Sequence, residues 1–512
     1  MVTHPDRPVL VAGDAIRAGT QAPFRSLVAR PRDPRAELAD LAGLAPSPPQ
    51  PLDRFTSVAR FVHVSDLHIT DVESPARLDF MIDDAADPRY EQALPVPRPQ
   101  QLLSTHAAAA AVDTIGRLGP SAESGRPVEF VVLTGDLVDN AQRNELDRLE
   151  AVLRGAEVRA SSWPGVVEGT ETADWRDAQV WQPADAAGLW ATRYGFPHDP
   201  GLLAAVSTPF TPSGLTVPAI LARGNHDALL AGTVAWTAAT RALAAGGRKV
   251  RGLPPRDLLD DAAAAFRADP DAFFTGRAVP VTPDPSRRPI AAAEFARTIG
   301  APALDAHGHD FVVAMGDRLR VVVLDTVDDH GHPDGVVTAE QYDWLARVLD
   351  RIAADPARPL VVVASHHGPL HHHTAAATAG RVTGAQVVQL LGRHEQVVLW
   401  LTGHTHYAEA IAHRAGPGRG FWEVTAPAIV DWPCQLTTVE VFEHADGSVA
   451  VTVDKHDLAV PASPDGADAV ADLASLHRLL AANQADFGRI FPGPEHDDRR
   501  DLLLRLGPPH GV

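Results

Sequence analysis

The stretch ARFVHVSDLH at residues 59–68 runs from an apolar, β-branched segment directly into the polar residues Asp66 and His68. An apolar segment that ends in a polar turn is typical of a strand buried in an α/β sheet. An alanine-rich, helix-like segment follows at about residues 101–117. Together they predict one β-to-α step, with polar side chains at the carboxyl end of the strand.

The same pattern recurs along the chain. Further strands are predicted from apolar runs at residues 127–133, 216–222, 319–324, 359–364, 396–401, 420–425, 436–443 and 448–455. Helical segments such as 338–353 alternate with the earlier runs, whereas the last three runs have no helix between them. This alternation predicts an α/β fold with two mixed sheets flanked by helices.

Five polar clusters follow the predicted strands and offer oxygen and imidazole donors: DLH at 66–68, GDLVD at 135–139, GNHD at 224–227, SHH at 365–367 and GHTH at 403–406. Loops at the carboxyl ends of strands converge in open α/β sheets, so these clusters are expected to meet. Their mixed donors suit Mn, Fe or Zn better than Ca or Mg, and they argue against a thiolate site. The sequence therefore predicts a dinuclear metal centre for hydrolysis at phosphorus.

Five side chains of these clusters are candidate metal ligands, namely Asp66, His68, Asp136, His404 and His406, and Asn225 and His366 complete the contacts around them. Asp66 and His68, two residues apart in an extended turn, point toward one ion. Asp136 has the charge and the two oxygens needed to bridge a pair of ions. His404 and His406 can supply one imidazole to each ion.

The motif order D-x-H, G-D-x-x-D, G-N-H-[DE], H and G-H-x-H over residues 60–410 resembles that of the calcineurin-like metallophosphoesterase superfamily. The resemblance implies a four-layer α-β-β-α sandwich of two mixed sheets flanked by helices, with insertions. The chain also looks similar to uncharacterised bacterial, phosphodiesterase-like members through SPAR at 74–77 and DWP at 431–433.

The resemblance further implies two divalent or trivalent transition-metal ions, Mn, Fe or Zn. The implied ligands are Asp66, His68, Asp136 and His406 for one ion, and Asp136, Asn225, His366 and His404 for the other. His226 is implied to donate a hydrogen bond or a proton near the leaving oxygen, oriented by the carboxylate of Asp139. Asp227 is implied to support the ligands without binding metal.

These features predict metal-dependent hydrolysis of phosphate esters, with diesters favoured over monoesters. Two ions about 4 Å apart would share a hydroxide that attacks phosphorus in line. The alternatives are a phosphomonoesterase, a Mn-dependent nuclease and a catalytically inactive scaffold. A net charge of -20 opposes a broad grip on nucleic acid. The complete ligand set argues against the scaffold.

The composition of the chain indicates where the protein is located and what it binds. The single Cys434 permits no intramolecular disulfide, and the first thirty residues show no export signal, so a cytoplasmic location is expected. No run of about 18 apolar residues predicts a membrane span. The expected partner is a small phosphate-ester substrate, with no strong nucleic-acid signal and no membrane. The oligomeric state is not indicated.

The chain divides by composition into three parts. Residues 1–54, rich in proline, are expected to form an extended arm, and residues 55–460 the catalytic domain. Insertions are expected at about 141–215 and 228–309, the second with a helix near 260–268. Residues 461–512 form a predicted tail with one helix at about 467–482. The four insertion tryptophans, at 163, 175, 181 and 190, are expected to build a small core rather than a lid.

Several polar residues leave alternatives open. His367 competes with His366 for one ligand position, and His63 is expected to be a core histidine. The run HHH at 371–373 either contacts substrate or a third ion, or is solvated, which is favoured. Loop residues without a metal role are expected at 307, 309, 310, 328, 329, 330 and 332. Substrate contacts are considered for Arg77, Arg223 and Asn140.

Overall fold

The computed structural model describes residues 8–38, 50–84, 98–163, 167–172, 175, 180–253, 261–298, 305–372, 380–416, 419–484 and 501–508. The strands are β1 (Val9–Arg17), β2 (Phe24–Arg30), β3 (Ala36–Glu37), β4 (Thr56–Val64), β5 (Phe130–Thr134), β6 (Ala219–Ala222), β7 (Arg248–Val250), β8 (Ala278–Pro280), β9 (Asp305–His307), β10 (Asp310–Met315), β11 (Leu319–Val323), β12 (Val337–Thr338), β13 (Leu360–Ala364), β14 (Arg381–Val382), β15 (Val397–Thr402), β16 (Glu409–Gly416), β17 (Arg419–Thr425), β18 (Gln435–Glu443), β19 (Val449–Asp457) and β20 (Leu502–Leu506).

Eleven α-helices lie between or beside the described strands. They are α1 (Ser104–Arg117), α2 (Arg143–Arg154), α3 (Leu189–Tyr194), α4 (Leu202–Val206), α5 (Ala238–Ala244), α6 (Ala262–Ala268), α7 (Pro270–Phe273), α8 (Ala292–Thr298), α9 (Ala339–Ala353), α10 (Gly384–Leu391) and α11 (Ala469–Ala482). None of the described helices is both long and apolar enough to cross a lipid bilayer.

Two seven-stranded mixed sheets form the centre of the molecule. Sheet A has the order β3-β20-β19-β18-β4-β5-β6, and sheet B has the order β16-β17-β15-β13-β11-β10-β9. In sheet A, β4, β5 and β6 are parallel neighbours, whereas β18 runs antiparallel to β4. In sheet B, β11, β13, β15 and β17 are parallel. Strand ends of the same polarity are thus grouped within each sheet.

The strands are apolar throughout because both faces of each sheet are covered. Along β5, Phe130 and Val132 pack between the two sheets, whereas Val131 and Leu133 face the helices on sheet A. The two-residue period of a strand alternates side chains between faces, so each face needs its own apolar set.

Helices cover the outer faces of the sheets. On sheet A, α1 and α2 pack in one apolar cluster, and α2 ends at Gly155, which adopts a left-handed conformation. On sheet B, α9 and α10 supply the outer layer. The side chain of Thr338 caps α9 by accepting a hydrogen bond from the backbone N–H of Gln341. The predicted four-layer α-β-β-α sandwich is confirmed.

Most predicted elements appear with shifts of a few residues at their ends. The predicted helix at 101–117 is a single 3-10 turn, Gln101–Leu103, followed by α1. The helix predicted near 260–268 begins at Ala262, and residue 260 itself lies outside the described residues. The helix predicted at 467–482 begins at Ala469.

The terminal segments contain strands that the sequence did not predict. Within residues 1–54, expected as an extended arm, β1 and β2 pair as an antiparallel hairpin, and β3 joins the edge of sheet A. In the C-terminal tail, β20 pairs with β19. The pairings of β20 with β19 and with β3 connect positions far apart in the sequence, whereas β1–β2 is a local hairpin. The division into domains stays a prediction.

Much of the first inserted segment, 141–215, builds a core with the two termini. Trp175, Trp181 and Trp190 are buried, whereas Trp163 is 41% exposed. Trp181 and Trp190 pack in one cluster with Phe24 of β2 and with leucines of α11. Although α2 falls within the predicted insertion, it packs beside α1 in the outer layer of sheet A.

Candidate metal centre

The seven predicted ligands lie in five loops, each at the carboxyl end of a parallel strand. Sheet A contributes Asp66 and His68 after β4, Asp136 after β5 and Asn225 after β6. Sheet B contributes His366 after β13, and His404 and His406 after β15. The loops meet because both sheets present strand ends of the same polarity on one side of the sandwich.

Asp136 lies among ligands from both sheets. Its Oδ2 is 3.1 Å from Nε2 of His366 and 3.6 Å from Nε2 of His68. Oδ1 of Asp66 is 3.3 Å from Nε2 of His406. The donor atoms of Asp66, His68 and His406 lie within 4.8 Å of one another, as do those of Asp66, Asp136 and His366. The structure therefore brings carboxylates and imidazoles together at metal-binding spacing.

The two remaining predicted ligands border this group. Oδ1 of Asn225 is 3.1 Å from Nε2 of His366, and its Nδ2 donates to the carbonyl oxygen of Gly232 at 2.9 Å. The amide thus presents its oxygen to the centre. His404 has a donor atom within 4.8 Å of those of His366 and His367.

The backbone is strained at five of the seven predicted ligands. Left-handed φ values occur at Asp66 (54°), His68 (42°), Asp136 (51°), His404 (72°) and His406 (67°). Residues other than glycine rarely adopt this region, and each such residue costs about 1–3 kcal/mol. Strain concentrated at these positions is a feature of functional sites, where the surrounding fold holds side chains in a required direction.

Two glycines of the motifs are required by close packing. A Cβ on Gly224 would clash with the carboxylate of Asp136, and a Cβ on Gly403 would clash with Ser65 and lie 2.8 Å from Oδ2 of Asp66. Both glycines therefore allow a loop from one strand to lie directly against a ligand from another.

The donor set fits transition-metal ions. Nε2 of His68 is buried without a hydrogen-bond partner, and Oδ1 of Asp66, which lies 3.3 Å from Nε2 of His406, makes no hydrogen bond of good geometry. A buried polar atom without a partner is costly, and a cation between these donors would remove that cost. A mixture of carboxylate oxygen, amide oxygen and imidazole nitrogen suits Mn, Fe or Zn.

Three of the predicted histidine ligands are held through Nδ1, so that Nε2 faces the centre. Nδ1 of His406 is 2.6 Å from Oδ2 of Asp431, and Nδ1 of His68 is 3.0 Å from Oδ1 of Asp139. Nδ1 of His366 is 2.6 Å from the carbonyl oxygen of Thr134. Such contacts set the tautomer and the ring direction of a metal-binding histidine.

The charges of the centre shift pKa values in opposite directions. Burial lowers the pKa of His406, but Asp66 and Asp431 raise it to about 9. Burial raises the pKa of Asp66, but mainly His406 lowers it to about 2. Burial lowers the pKa of His404 to about 3. His406 and Asp66 thus stabilise each other as an imidazolium–carboxylate pair, whereas His404 is neutral, and cation binding would displace the extra proton of His406.

The structure corrects the predicted role of Asp139. Nδ1 of His226 is 2.6 Å from the main-chain oxygen of Asp139, whereas the carboxylate Oδ1 is 3.9 Å away. The carboxylate instead contacts His68 and accepts a hydrogen bond from Arg77. Asp139 therefore orients His226 through its backbone and His68 through its side chain. The sequence could not predict that the backbone and the side chain of Asp139 have different partners, because a motif does not specify which atom of a residue makes a contact.

Asp227 connects two of the ligand loops. Its carboxylate accepts hydrogen bonds from the backbone N–H groups of Leu137, Val138 and Gly224 at 2.8–3.0 Å. Burial, followed by the negative charge of Asp136, raises the pKa of Asp227 to about 7. The side chain holds the loop of Asp136 against that of Asn225, which agrees with a supporting role.

The structure distinguishes among the other histidines. Nδ1 of His367 is 2.9 Å from Oγ1 of Thr326, and its Nε2 is 3.0 Å from the carbonyl oxygen of Pro333, so both ring nitrogens have partners outside the centre. This favours His366 as the ligand. His63 is fully buried with Nε2 2.9 Å from Oγ1 of Thr134, as expected of a core histidine.

The HHH run differs from the favoured solvated loop. His372 is 7% exposed, and the ring of His371 lies 5.4 Å from that of His404. Donor atoms of Asp334, His371 and His404 lie within 4.8 Å of one another. Residue 373 lies outside the described residues.

The arginines considered for substrate contact have carboxylate partners. Arg77 binds Asp79 and Asp139, and Arg223 binds Asp325 at 2.7 Å. Asn140 is 1% exposed and lines the cavity, with its Oδ1 accepting a hydrogen bond from the backbone of Ala231.

Several of the metal-like loop residues likewise have structural partners. Asp310 accepts from the backbone N–H of Asp325 at 2.7 Å, and Asp328 pairs with Arg381 at 2.8 Å. Asp329 pairs with Arg223 at 3.3 Å. These contacts give the three carboxylates partners other than a metal ion. The expectation of loop residues is wrong for His307 and Asp310, which lie in β9 and β10.

Two residues near the centre were not identified from the sequence. Asp431 contacts His406, and Arg98 contacts Asp431 at 3.1 Å. Burial raises the pKa of Asp431, but Arg98 and His406 lower it below its ordinary range. The DWP motif at 431–433 was a signal for Asp431, but its contact with an imidazole 25 residues away depends on the fold.

A cavity of about 320 Å³ opens over the centre. Its floor includes His68, Asp136, Asn225, His404 and His406. The remaining wall has neutral and basic side chains: Arg77, Leu78, Arg98, Gln101, Asn140, His226, Ala231, Thr233, Ala263, Phe266, Arg267 and Pro333, together with Asp79 and Asp139. The cavity is large enough for a small organic phosphate.

Comparisons with known proteins give one family match and several similar structures. Residues 59–408 match the family model of calcineurin-like phosphoesterases. A dimetal phosphatase from Danio rerio is similar in structure, with 13% identity, a TM-score of 0.36, and coverage of 78% of this chain and 96% of that chain. The structure of PhoD is similar with 11% identity, a TM-score of 0.30, and coverage of 90% and 80%, respectively. No curated protein sequence matches significantly. Structural similarities this low carry no argument about function.

Proposed function

The chain belongs to the calcineurin-like phosphoesterase family and is a metal-dependent hydrolase of phosphate esters, and we propose that it hydrolyses small phosphodiesters at a dinuclear centre. The position of Asp136 carries this proposal. Its carboxylate lies 3.6 Å from His68 of sheet A and 3.1 Å from His366 of sheet B. A carboxylate between two donor groups is the arrangement that a bridging ligand requires.

The proposed ligands divide into two sets that share Asp136. The sets are Asp66, His68, Asp136 and His406 for one ion, and Asp136, Asn225, His366 and His404 for the other. Mn, Fe or Zn suits both sets. When bound, two such ions lower the pKa of water and offset the charge of the phosphoryl oxygens.

His226 is proposed to act on the leaving group. Its Nδ1 is fixed by the main-chain oxygen of Asp139, and the ring borders the cavity. Nε2 is therefore the ring nitrogen that remains for the substrate. From this position it would donate a proton to the oxygen that leaves phosphorus, which is ordinary general-acid catalysis.

The volume and the lining of the cavity favour a small diester over a polymer as the substrate. It holds about 320 Å³, and neutral side chains such as Leu78, Ala231 and Pro333 line it beside the metal ligands. These surfaces can accept the organic group of an ester. The net charge of -20 opposes extended nucleic acid. A phosphomonoesterase is the second candidate, because the same centre would bind a monoester.

The proposal is tested with purified protein that is stripped of metal and reloaded with Mn²⁺. We expect close to two ions per chain by mass spectrometry and turnover of bis(p-nitrophenyl) phosphate. Asp136→Asn removes the bridging charge and should abolish turnover, whereas Asp343→Asn, at an exposed position of α9, should leave turnover intact. Full activity in Asp136→Asn would contradict the bridging role. Preferential cleavage of p-nitrophenyl phosphate would favour the monoesterase.

A further inference from the structure

We propose that Arg267 selects substrates that carry a second anionic group beside the reacting phosphate ester. The inference rests on the proposed function of the metal centre, because it concerns the same cavity. Arg267 lies on α6, within the second inserted segment at 228–309, and lines the cavity together with Ala263 and Phe266. The insertion therefore supplies part of the substrate-binding wall.

The position of Arg267 is set by a buried neighbour. Phe266 is 3% exposed and packs in a cluster that includes Leu78 and Phe80, which follow the first metal-binding loop. The ring of Phe266 also meets that of Phe273 edge to face at 5.2 Å. Helix α6 is thus held against the rim of the centre, and the adjacent Arg267 is exposed.

The other two arginines that line the described part of the cavity are neutralised by carboxylates. Arg77 pairs with Asp79 and Asp139, and Arg98 pairs with Asp431. Within the residues that the structure describes, Arg267 has no hydrogen bond or ion pair. Its guanidinium is therefore available to a ligand in the cavity.

The negative charge of the whole chain makes the positive charge of Arg267 important for binding an anionic ligand. A net charge of -20 repels a ligand with extra negative charge unless a local cation compensates. The metal ions would bind the reacting phosphate, and neutral residues such as Ala263 and Pro333 border the space beyond it. A guanidinium forms paired hydrogen bonds with a carboxylate or a phosphoryl group. Either group, placed at the far end of the substrate, would meet Arg267.

The test measures binding without turnover. Phosphonates are suitable probes because their carbon–phosphorus bond is not an ester. Alkylphosphonates of two to five carbons are titrated into the Mn²⁺-loaded protein by calorimetry, in parallel with analogues of equal length that end in a carboxylate or in a second phosphonate. We expect at least one anionic analogue to bind about tenfold more tightly than its neutral partner. The two anionic arms distinguish a carboxylate from a phosphoryl group.

Three variants identify the source of this preference. Arg267→Ala should abolish the roughly tenfold preference, and Arg267→Lys should retain part of it because the charge remains. Arg297→Ala is the matched control, since Arg297 is an exposed helical arginine of the same insertion outside the cavity lining, and it should keep the full preference.

Several results would overturn the inference. These are equal affinity for neutral and anionic analogues, no binding of any phosphonate, or a preference that persists in Arg267→Ala. Failure of the proposed function is a separate observation, namely absent turnover of bis(p-nitrophenyl) phosphate by the loaded wild-type protein. Binding preference and turnover are thus read independently.

Discussion

Hydrogen-bond partners behind the predicted ligands set the direction of three imidazoles. His68, His366 and His406 are each held through Nδ1, but the partner differs: a carboxylate, a main-chain oxygen and a second carboxylate. An imidazole beside a carboxylate is a stronger electron donor to a metal. Substitutions at these supporting residues therefore test metal affinity separately from the rate of hydrolysis.

Asp431→Asn should weaken metal binding by about 10- to 100-fold, because the variant loses the carboxylate 2.6 Å from Nδ1 of His406. Competition with a fluorescent chelator measures the change. Asp446→Asn is the matched control, since it removes a carboxylate 2.8 Å from His444, a histidine with no predicted metal role. Unchanged affinity in Asp431→Asn would show that this contact does not support the centre.

His226→Ala should lower kcat by about 10²- to 10⁴-fold with little loss of bound metal, because the side chain is proposed to serve the leaving group. Turnover and metal content are measured on the same preparations. His198→Ala, at an exposed loop histidine, provides the control. A loss of metal equal to the loss of activity would instead make His226 a ligand.

Among the structural elements, the loop after β4 is joined to the second insertion by buried charges. Asp71 and Arg287 are both fully buried and 2.8 Å apart, and Arg148 of α2 lies 3.6 Å from Asp71. Burial raises the pKa of Asp71, but the two arginines lower it below its ordinary range. The pair fixes the insertion that carries α6 beside the loop that carries Asp66.

Asp71→Asn should reduce the free energy of unfolding by about 3–5 kcal/mol at pH 7, because it leaves the buried Arg287 with only the more distant carboxylate of Glu73, 3.8 Å away. The pKa of Asp71 is lower in the folded than in the unfolded state, so its stabilisation is present above the unfolded pKa of about 3.9 and declines as the pH falls below it. The difference in the free energy of unfolding between wild type and variant should therefore become smaller below about pH 4.

Urea denaturation at several pH values measures this difference. Asp147→Asn, which removes an exposed pair with Arg143, is the control and should change stability by no more than about 1 kcal/mol. A difference that grows with acidity would contradict the charge state assigned to Asp71.

The molecule as a whole places the candidate metal centre at the junction of its two sheets. The predicted ligands after β4, β5 and β6 belong to sheet A, and those after β13 and β15 belong to sheet B. The two sheets otherwise meet through an apolar interface that includes Phe61, Phe130 and Leu399. Metal binding at the predicted ligands would therefore link the two halves of the sandwich.

Mn²⁺ should stabilise the folded protein, since the complete ligand set exists only when both sheets are assembled. At a free concentration 100 times the Kd of one site, the expected gain is about 2.7 kcal/mol. Thermal unfolding with Mn²⁺ and with chelator measures it as a shift in Tm. The shift should be lost in Asp136→Asn and kept in Asp343→Asn; an equal shift in both variants would place the bound ion elsewhere.

Much of this architecture could be predicted from residue order because its signals are local. The apolar runs that became β4, β5, β6, β13 and β15 each end in a motif, and strand polarity alone brings such ends together. The edge strand β20 was not predicted because its partner β19 lies about 50 residues earlier in the sequence. The hairpin β1–β2 pairs neighbouring segments and was not predicted because the proline-rich composition of residues 1–54 indicated an extended arm.

The motifs were sufficient to identify the family, the sandwich and the predicted ligands, because donor type and spacing are properties of the chain itself. Packing, in contrast, determined that Asp139 serves His226 through its backbone, that Asp431 contacts His406, and that Arg77 has carboxylate partners. Such contacts join loops far apart in the sequence. Each contact requires its two groups to be placed with a precision of a few tenths of an ångström. Such placement arises only when both sheets and their insertions have packed together.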